Sequence, residues 1–337
     1  MAGHIGISVE RVPGFAPIPA GAPTGPLPAA LAQTAFGGGA RTVALLDAAR
    51  LRGLADLAAA TGLRPLCLFT GDLAKAEDAV PWLMALGPGD KLARYLFTDG
   101  PDGRPGPWHF WPLGAGILIR TALPDEALRT HLRRFLRATD EAGRAYFFRF
   151  WEPTSAPHYF ANLADRPELI ARWFRPREGG GIEAILAGDP ATGLWRIAPQ
   201  GLADALHEPR GSFVLTASDM AALTAARTDR DLDHLAGLLI RTFPETVGLR
   251  PRPEVVTLTR RTVSRMRDYG FVQRDHLFRL LAWEAHFGPN VEARDPEGRL
   301  RAICTSDRDE AEKFDDFAAR AVALFETGKA EDAVSPR

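Results

Sequence analysis

The fold is decided by residues 42–60, which read TVALLDAARLRGLADLAAA. The run 42–46 is short and apolar, which is typical of a buried strand. Asp47 follows this run, and its carboxylate is expected to cap a helix over residues 48–60. The helix is predicted from apolar residues at helical spacing, namely Leu51, Leu54, Leu57 and Ala58. This stretch therefore predicts one buried strand followed at once by one helix.

Strand-like and helix-like patterns go on alternating over about the first 200 residues. Further strands are predicted at 65–69, 79–86, 116–120, 145–151, 182–187, 194–197 and 213–216. Helices are predicted at 91–97, 124–138 and 168–174. Such alternation indicates a sheet layer covered by helices.

The pattern becomes helical after residue 218. Helices are predicted at 218–242, 253–269, 273–287 and 307–327. The predicted fold class is α/β, with an N-terminal mixed α/β sheet lobe over residues 42–217. A smaller all-helical C-terminal lobe is expected over residues 218–330.

The first 41 residues have a different composition. Proline, glycine and alanine dominate residues 12–40, and this composition disfavours regular elements with paired backbone. We therefore expect residues 1–41 to form a flexible lead-in.

The overall composition bounds the class of protein. The chain has 337 residues, is 46% hydrophobic and carries a formal net charge of -1, so no whole-protein basic field for nucleic acid or anionic lipid is present. No apolar run approaches the roughly 18 residues of a membrane span, and the first residues lack the apolar core of a signal peptide. Two distant cysteines, Cys67 and Cys304, fit a reducing compartment. These features predict a cytoplasmic protein without membrane or nucleic-acid partners.

Common catalytic signatures are missing from the sequence. It contains no G-x-S-x-G elbow, no phosphate-binding G-x-x-x-x-G-K-[ST] loop, no G-x-G-x-x-G fingerprint and no H-E-x-x-H motif. No cysteine pair has zinc-ligand spacing. The sequence therefore predicts no catalytic residue, no metal site and no cofactor.

Three carboxylates offer an alternative. Asp47, Asp72 and Glu152 each follow the C-terminal end of a predicted strand, where α/β sheets form clefts. Asp47 and Glu152 together would make an acid–base or metal-binding pair of an uncharacterised α/β enzyme. The structural interpretation, in which Asp47 caps a helix and Glu152 starts a turn, is favoured.

Two further groups of residues allow a binding or a structural role. Aromatic residues cluster at 108–111 and 145–151, where they form either a partner-binding face or core. Four arginines lie off the apolar stripe of the predicted helix 124–138, on a solvated face or on a surface for an acidic partner or nucleic acid: Arg129, Arg133, Arg134 and Arg137. Core and a solvated face are the favoured interpretations.

Five short pieces of the chain resemble a known family, the adaptor/chaperone proteins of bacterial type VI secretion. They are, in order, 44–47 (ALLD), 68–71 (LFTG), 81–86 (PWLMAL), 128–136 (LRTHLRRFL) and 148–153 (FRFWEP). The resemblance covers about residues 42–200, with the order and similar spacing of the family. Trp151-Glu152 stands where Tyr-Asp is commoner in the family, and an aromatic-rich loop near Trp108 replaces the usual Trp-Gly entry.

This resemblance implies a binding role without catalysis. Such proteins hold a toxic effector in the cytoplasm and deliver it to the tip of the VgrG spike protein. The expected partners are thus an effector and VgrG, with the helical lobe supplying part of the effector contact. The residues expected to define the family fold or to bind a partner are Asp47, Trp82, Arg149, Phe150, Trp151, Glu152 and Pro153.

Overall fold

The structure is a computed structural model that describes residues 5–22, 25–177, 179–201 and 211–332. Its strands are β1 Gly6–Arg11, β2 Arg41–Asp47, β3 Leu66–Cys67, β4 Pro81–Leu86, β5 Gly116–Thr121, β6 Arg137–Asp140, β7 Ala145–Phe147, β8 Ile182–Asp189, β9 Gly193–Gln200 and β10 Phe213–Leu215. Its α-helices are α1 Ala29–Phe36, α2 Leu54–Ala60, α3 Lys91–Leu96, α4 Asp125–Arg133, α5 Ala156–Ala161, α6 Pro167–Phe174, α7 Ala217–Thr242, α8 Pro244–Val247, α9 Arg252–Asp268, α10 Arg274–Phe287, α11 Arg299–Cys304 and α12 Glu310–Asp332.

The strand predicted at residues 42–46 lies inside a seven-stranded sheet, between β4 and β5. Alternate side chains of β2 enter two different cores: Val43 and Leu45 belong to one, and Ala44 and Leu46 to the other. Because successive strand side chains point to opposite faces, a strand covered on both sides must be apolar at every position. This double burial explains the uninterrupted apolar run in β2.

Helices cover both faces of this sheet. The core that contains Val43 also holds side chains of α4, α5 and α6, among them Leu132, Phe160 and Trp173. The core that contains Ala44 holds side chains of α1, α2 and α3. The α/β fold class is confirmed, with a sheet sandwiched between two helical layers.

The order of strands in the large sheet is β1-β9-β8-β5-β2-β4-β3, and every neighbouring pair is antiparallel. A second sheet, of three strands, has the order β10-β6-β7, and its β10–β6 pair is parallel. In an antiparallel sheet, neighbouring strands end at opposite edges. The cleft expected from a parallel α/β arrangement therefore does not apply to the large sheet.

The expectation of a lead-in without regular elements over residues 1–41 is wrong for two segments. β1 pairs with β9 along the edge of the large sheet, and α1 packs against β2. The guanidinium of Arg120, a buried residue of β5, donates to the carbonyl oxygens of Ala35 (2.7 Å) and Gly37 at the end of α1. Contacts with residues distant in sequence thus stabilise β1 and α1. Amino-acid composition alone does not reveal such contacts.

Two predicted elements are shorter than expected. The helix predicted over 124–138 ends at Arg133, and residues 137–140 form β6 instead. The helix predicted over 48–60 begins only at Leu54, after a turn and a left-handed Gly53 (φ 70°). In both segments the apolar residues keep their spacing outside the helix. Their side chains are buried in the core although the backbone there is not helical.

The chain divides into two compact units, residues 1–227 and 228–337. The division falls inside α7, ten residues after the boundary predicted at 217–218. The start of α7 belongs to the first unit, where Thr216 and Asp219 cap the helix reciprocally: the amide of Thr216 donates to Asp219 Oδ2 (2.9 Å), and the amide of Asp219 donates to Thr216 Oγ1 (3.2 Å).

The second unit is helical and has a core of its own, which includes Leu239, Met266, Leu281 and Phe317. A buried ion pair also stabilises it: Arg320 donates to both carboxylate oxygens of Asp295, at 2.9 and 2.7 Å. These bonds hold the pKa of Asp295 well below its usual range, although burial of the carboxyl opposes the shift.

Replacing Trp173 by alanine should destabilise the first unit by about 3–5 kcal/mol. Trp173 is fully buried, and its ring stacks on that of Phe135 with centroids 3.6 Å apart. Urea denaturation followed by circular dichroism measures the loss. The control is Trp108→Ala: this side chain is 52% exposed and should cost about 1 kcal/mol or less. Equal losses for the two variants would contradict this account of the core.

The Asp295–Arg320 pair predicts an acid-sensitive helical unit. Because the pKa of Asp295 is lower in the folded than in the unfolded protein, the pair stabilises the fold at pH values above about 4. This contribution is lost progressively as the pH falls below about 4, where the carboxyl group of the unfolded chain takes up a proton while the folded protein keeps Asp295 ionised. Melting temperature against pH should therefore fall less steeply in Asp295→Asn than in the wild type, and parallel curves would contradict the prediction.

Candidate functional site

The turn after β2 is built around the carboxylate of Asp47, which is 3% exposed. Oδ1 of Asp47 accepts the backbone amide of Ala49 at 3.0 Å, and the carbonyl oxygen of Asp47 accepts the amide of Arg50 at 3.0 Å. The expected helix cap is therefore a tight turn stabilised by the same side chain. This turn leaves Oδ2 of Asp47 for a partner distant in sequence.

That partner is the segment after β7. Arg149 forms an ion pair with Oδ2 of Asp47, and the indole Nε1 of Trp151 donates to the same oxygen at 3.2 Å. The rings of Phe150 and Trp151 are buried, and Pro153 is buried beside them. The sequence predicted that Arg149, Phe150, Trp151 and Glu152 define the fold with Asp47 beside them, and the structure brings Arg149 and Trp151 into contact with Asp47.

A second ion pair joins the same two segments, with the acid and the arginine exchanged. The guanidinium of Arg50 pairs with the carboxylate of Glu152, and it also donates to the carbonyl oxygen of Gly114 at 3.1 Å. Each of the two turns thus supplies one acid and one arginine. We call these four residues, Asp47, Arg50, Arg149 and Glu152, the latch.

The two halves of the latch differ in exposure. The side chain of Arg149 is 44% exposed, so solvent screens its attraction to the buried Asp47. The side chains of Arg50 and Glu152 are 27% and 19% exposed. The larger cost of breaking the latch lies at Asp47, since its loss would leave the buried indole N–H of Trp151 without an acceptor.

The other predicted site residues lie apart from the latch. Asp72 is an exposed residue of the 3-10 helix Gly71–Lys75. Trp82 is half-buried in β4, where its indole Nε1 donates to the carbonyl oxygen of Glu77 at 3.1 Å. Trp82 follows Pro81, which is the cross-strand partner of Asp47.

The geometry shows what occupies the carboxylates of the proposed acid–base pair. Asp47 is bound by Arg149 and Glu152 by Arg50, so each faces a guanidinium. Across the described residues, no group of three or more His, Cys, Asp or Glu side chains could hold a metal ion. The enzymatic role of Asp47 and Glu152 stays a prediction. Asp47 ends β2 of the large sheet and Glu152 follows β7 of the small sheet, so the two carboxylates do not share the edge of one sheet.

The two cysteines carry free thiols. Burial raises the pKa of Cys67, and it raises the pKa of Cys304 to about 12. Neither thiol is therefore appreciably ionised at neutral pH, and a thiolate is the form that acts as a nucleophile.

The aromatic clusters separate into core and surface. Phe148, Phe150 and Trp151 are buried, whereas Phe147 is 54% exposed and Trp108 is 52% exposed. The favoured core interpretation is thus right for three of the five aromatic residues at 145–151. On and beyond α4, Arg133 and Arg137 are exposed, and Arg129 forms an ion pair with Glu126 at 2.5 Å.

Arg50 was not among the site residues predicted from the sequence. A signal for it exists in the spacing: Asp47-x-x-Arg50 on one turn mirrors Arg149-x-x-Glu152 on the other. An acid and an arginine three residues apart, repeated with the charges reversed, allow two ion pairs to form across the turns. The buried Arg120 was also missed, since it donates to the backbone oxygens of Ala35 and Gly37 and to Oγ1 of Thr42, none of which is a charged partner.

The latch lies in the part of the chain that resembles other proteins. Residues 43–169 match the family model described as Domain of unknown function (DUF4123). The DUF4123 match begins within β2 and ends within α6, so it contains all seven of the residues proposed from the sequence. Searches of curated proteins and of solved structures found no match.

Asp47→Ala should destabilise the first unit by about 3 kcal/mol, because it removes an ion pair and the acceptor of a buried indole. Glu152→Gln is the matched comparison and should cost about 1 kcal/mol, since its pair with Arg50 is partly exposed. Urea denaturation gives both values. A cost for Asp47→Ala no larger than that for Glu152→Gln would contradict the proposed importance of the buried end.

Proposed function

We propose that this chain is a cytoplasmic adaptor that binds a type VI secretion effector and loads it onto the VgrG spike protein. The observation that carries the proposal is the DUF4123 match over residues 43–169, because this domain is associated with type VI secretion effector adaptors. The five family-like pieces of sequence all lie within this match and agree with it. Four of them, 44–47, 68–71, 81–86 and 148–153, lie on or directly after strands or next to the latch.

An adaptor works by holding another chain, and its scaffold must keep the binding surface in place. We expect the residues of the family-like motifs to stabilise that scaffold. The latch does this: it joins the turn after β2 to the segment after β7, 102 residues further along the chain. Phe150, Trp151 and Pro153 support the scaffold from within and are not accessible to a partner. The partner contacts are therefore assigned to other, exposed residues.

The first unit carries exposed apolar side chains that suit such contacts. Phe147 and Trp108 are both more than half exposed, and large aromatic side chains are enriched among residues that dominate binding energy. None of the helices in the described part of the chain is long and apolar enough to cross a membrane. In this proposal the chain performs no chemical step of its own and needs no cofactor.

Affinity purification from the source bacterium tests the proposal. The tagged full chain should co-purify with a toxin encoded near a VgrG gene, and with VgrG itself, as identified by mass spectrometry. Deleting the VgrG gene should remove the spike protein from the eluate while the toxin remains, because the adaptor holds its cargo before loading. Recovery of neither protein from cells that produce both would sink the proposal.

A further inference from the structure

The helical unit contains a cleft of about 650 Å³. It is lined by one side of α9 between residues 253 and 265, by Arg250 before this helix, by Glu284 of α10 and by residues 288–290 after α10. Its volume falls within the range of about 300–1,000 Å³ that is usual for ligand sites. The latch and the DUF4123 match lie outside this unit, so neither accounts for the cleft.

Two arginines in the cleft lining have no acidic partner. Arg250 and Arg261 are exposed, and within the part of the chain that the structure describes no carboxylate pairs with either. Nearby arginines behave differently: Arg252 pairs with Asp233 at 2.7 Å, and Arg260 pairs with Asp229 at 2.8 Å. The two uncommitted guanidinium groups therefore make the exposed lining cationic, and a single exposed acid in that lining, Glu254, offsets only one of them.

The buried acids beside the cleft form ion pairs with Arg265. Arg265 forms an ion pair with the buried Glu284, and its Nε also lies 2.9 Å from Oε1 of the buried Glu292. Because these charges are engaged with one another, they are held in place and do not compete for Arg250 or Arg261. Apolar side chains, Leu258 and Pro289 among them, complete the walls.

The start of α9 offers few free backbone donors to a phosphate ligand. Phosphates at helix ends are bound by free backbone N–H groups of the first turn. In α9, Pro253 has no N–H, and the amides of Glu254 and Val255 already donate to the carbonyl oxygen of Pro251, at 2.9 and 3.3 Å. What remains for recognition is a pair of guanidinium groups and an apolar wall. A carboxylate flanked by apolar groups fits both, since guanidinium forms bidentate bonds with carboxylates.

We propose that this cleft binds a segment of the effector that carries Asp or Glu side chains next to apolar ones. The proposal rests on the adaptor function proposed above and adds to it the contact surface and the chemistry of the bound segment. Arg250 and Arg261 pair with the acidic side chains, and the apolar residues of the segment pack against Leu258 and Pro289.

The test uses the purified full chain and the purified toxin encoded beside the VgrG gene. Arg261→Glu should weaken binding about tenfold or more, because it replaces a charge-assisted contact by repulsion. The double variant with Arg250→Glu should weaken it further, and the wild-type affinity should fall with added salt. Arg267→Glu is the matched control: it reverses an exposed charge on the same helix outside the cleft and should leave affinity unchanged.

The outcomes separate the two proposals. If the wild type binds the toxin and both cleft variants bind it equally well while remaining folded by thermal melting, the cleft proposal is overturned and the adaptor function stands. If the wild type does not bind the toxin, both fail. A thermal stabilisation by inorganic phosphate that Arg261→Glu abolishes, with toxin binding unaltered, would assign the cleft to a small anion and would also overturn the proposal.

Discussion

The carboxylate of Asp47 is the point at which the first unit holds two distant parts of its chain together. One of its oxygens shapes the turn that ends β2, and the other binds Arg149 and the indole of Trp151. A buried carboxylate needs such donors, because its desolvation would otherwise cost several kcal/mol. The aromatic segment after β7 is thereby held at the C-terminal end of β2. The ring of Phe150 lies in the core beside Trp173.

The fold could be predicted from the sequence wherever burial gives a simple pattern. The run Val43–Leu46 is apolar at every position because both faces of β2 are covered, and the strand stands where the pattern placed it. The long helices α7, α9 and α10 also begin and end within one residue of the predicted positions. Direction and pairing of strands were harder to foresee, because alternating elements suggest parallel crossovers, whereas the large sheet is antiparallel throughout.

The candidate site was likewise only partly predictable: its residues could be selected from the sequence, but their interactions could not. Asp47, Arg149, Trp151 and Glu152 were selected from motif resemblance, and they meet in space. Their roles were harder to predict from the sequence. A carboxylate can act as an acid, bind a metal or form an ion pair, and the groups that face it determine which. Arg50 is the group that faces Glu152, and only the three-dimensional arrangement shows that the two turns face one another. The cleft of the helical unit has no sequence signature, because its lining comes from segments about thirty residues apart.

The edge strand β1 makes the large sheet depend on pairing between residues far apart in sequence. Gly6 lies opposite Gln200, so β1 can pair only after the chain has been synthesised as far as β9. Sheets closed by contacts of such long sequence separation form slowly, since much chain entropy is lost before the pairing is rewarded. β8 and β9 are antiparallel neighbours in sequence, and β1 extends this hairpin on its outer side. Until β1 pairs, the backbone groups along β9 are open to strands of other chains, and an unpaired strand edge is a template for mispairing.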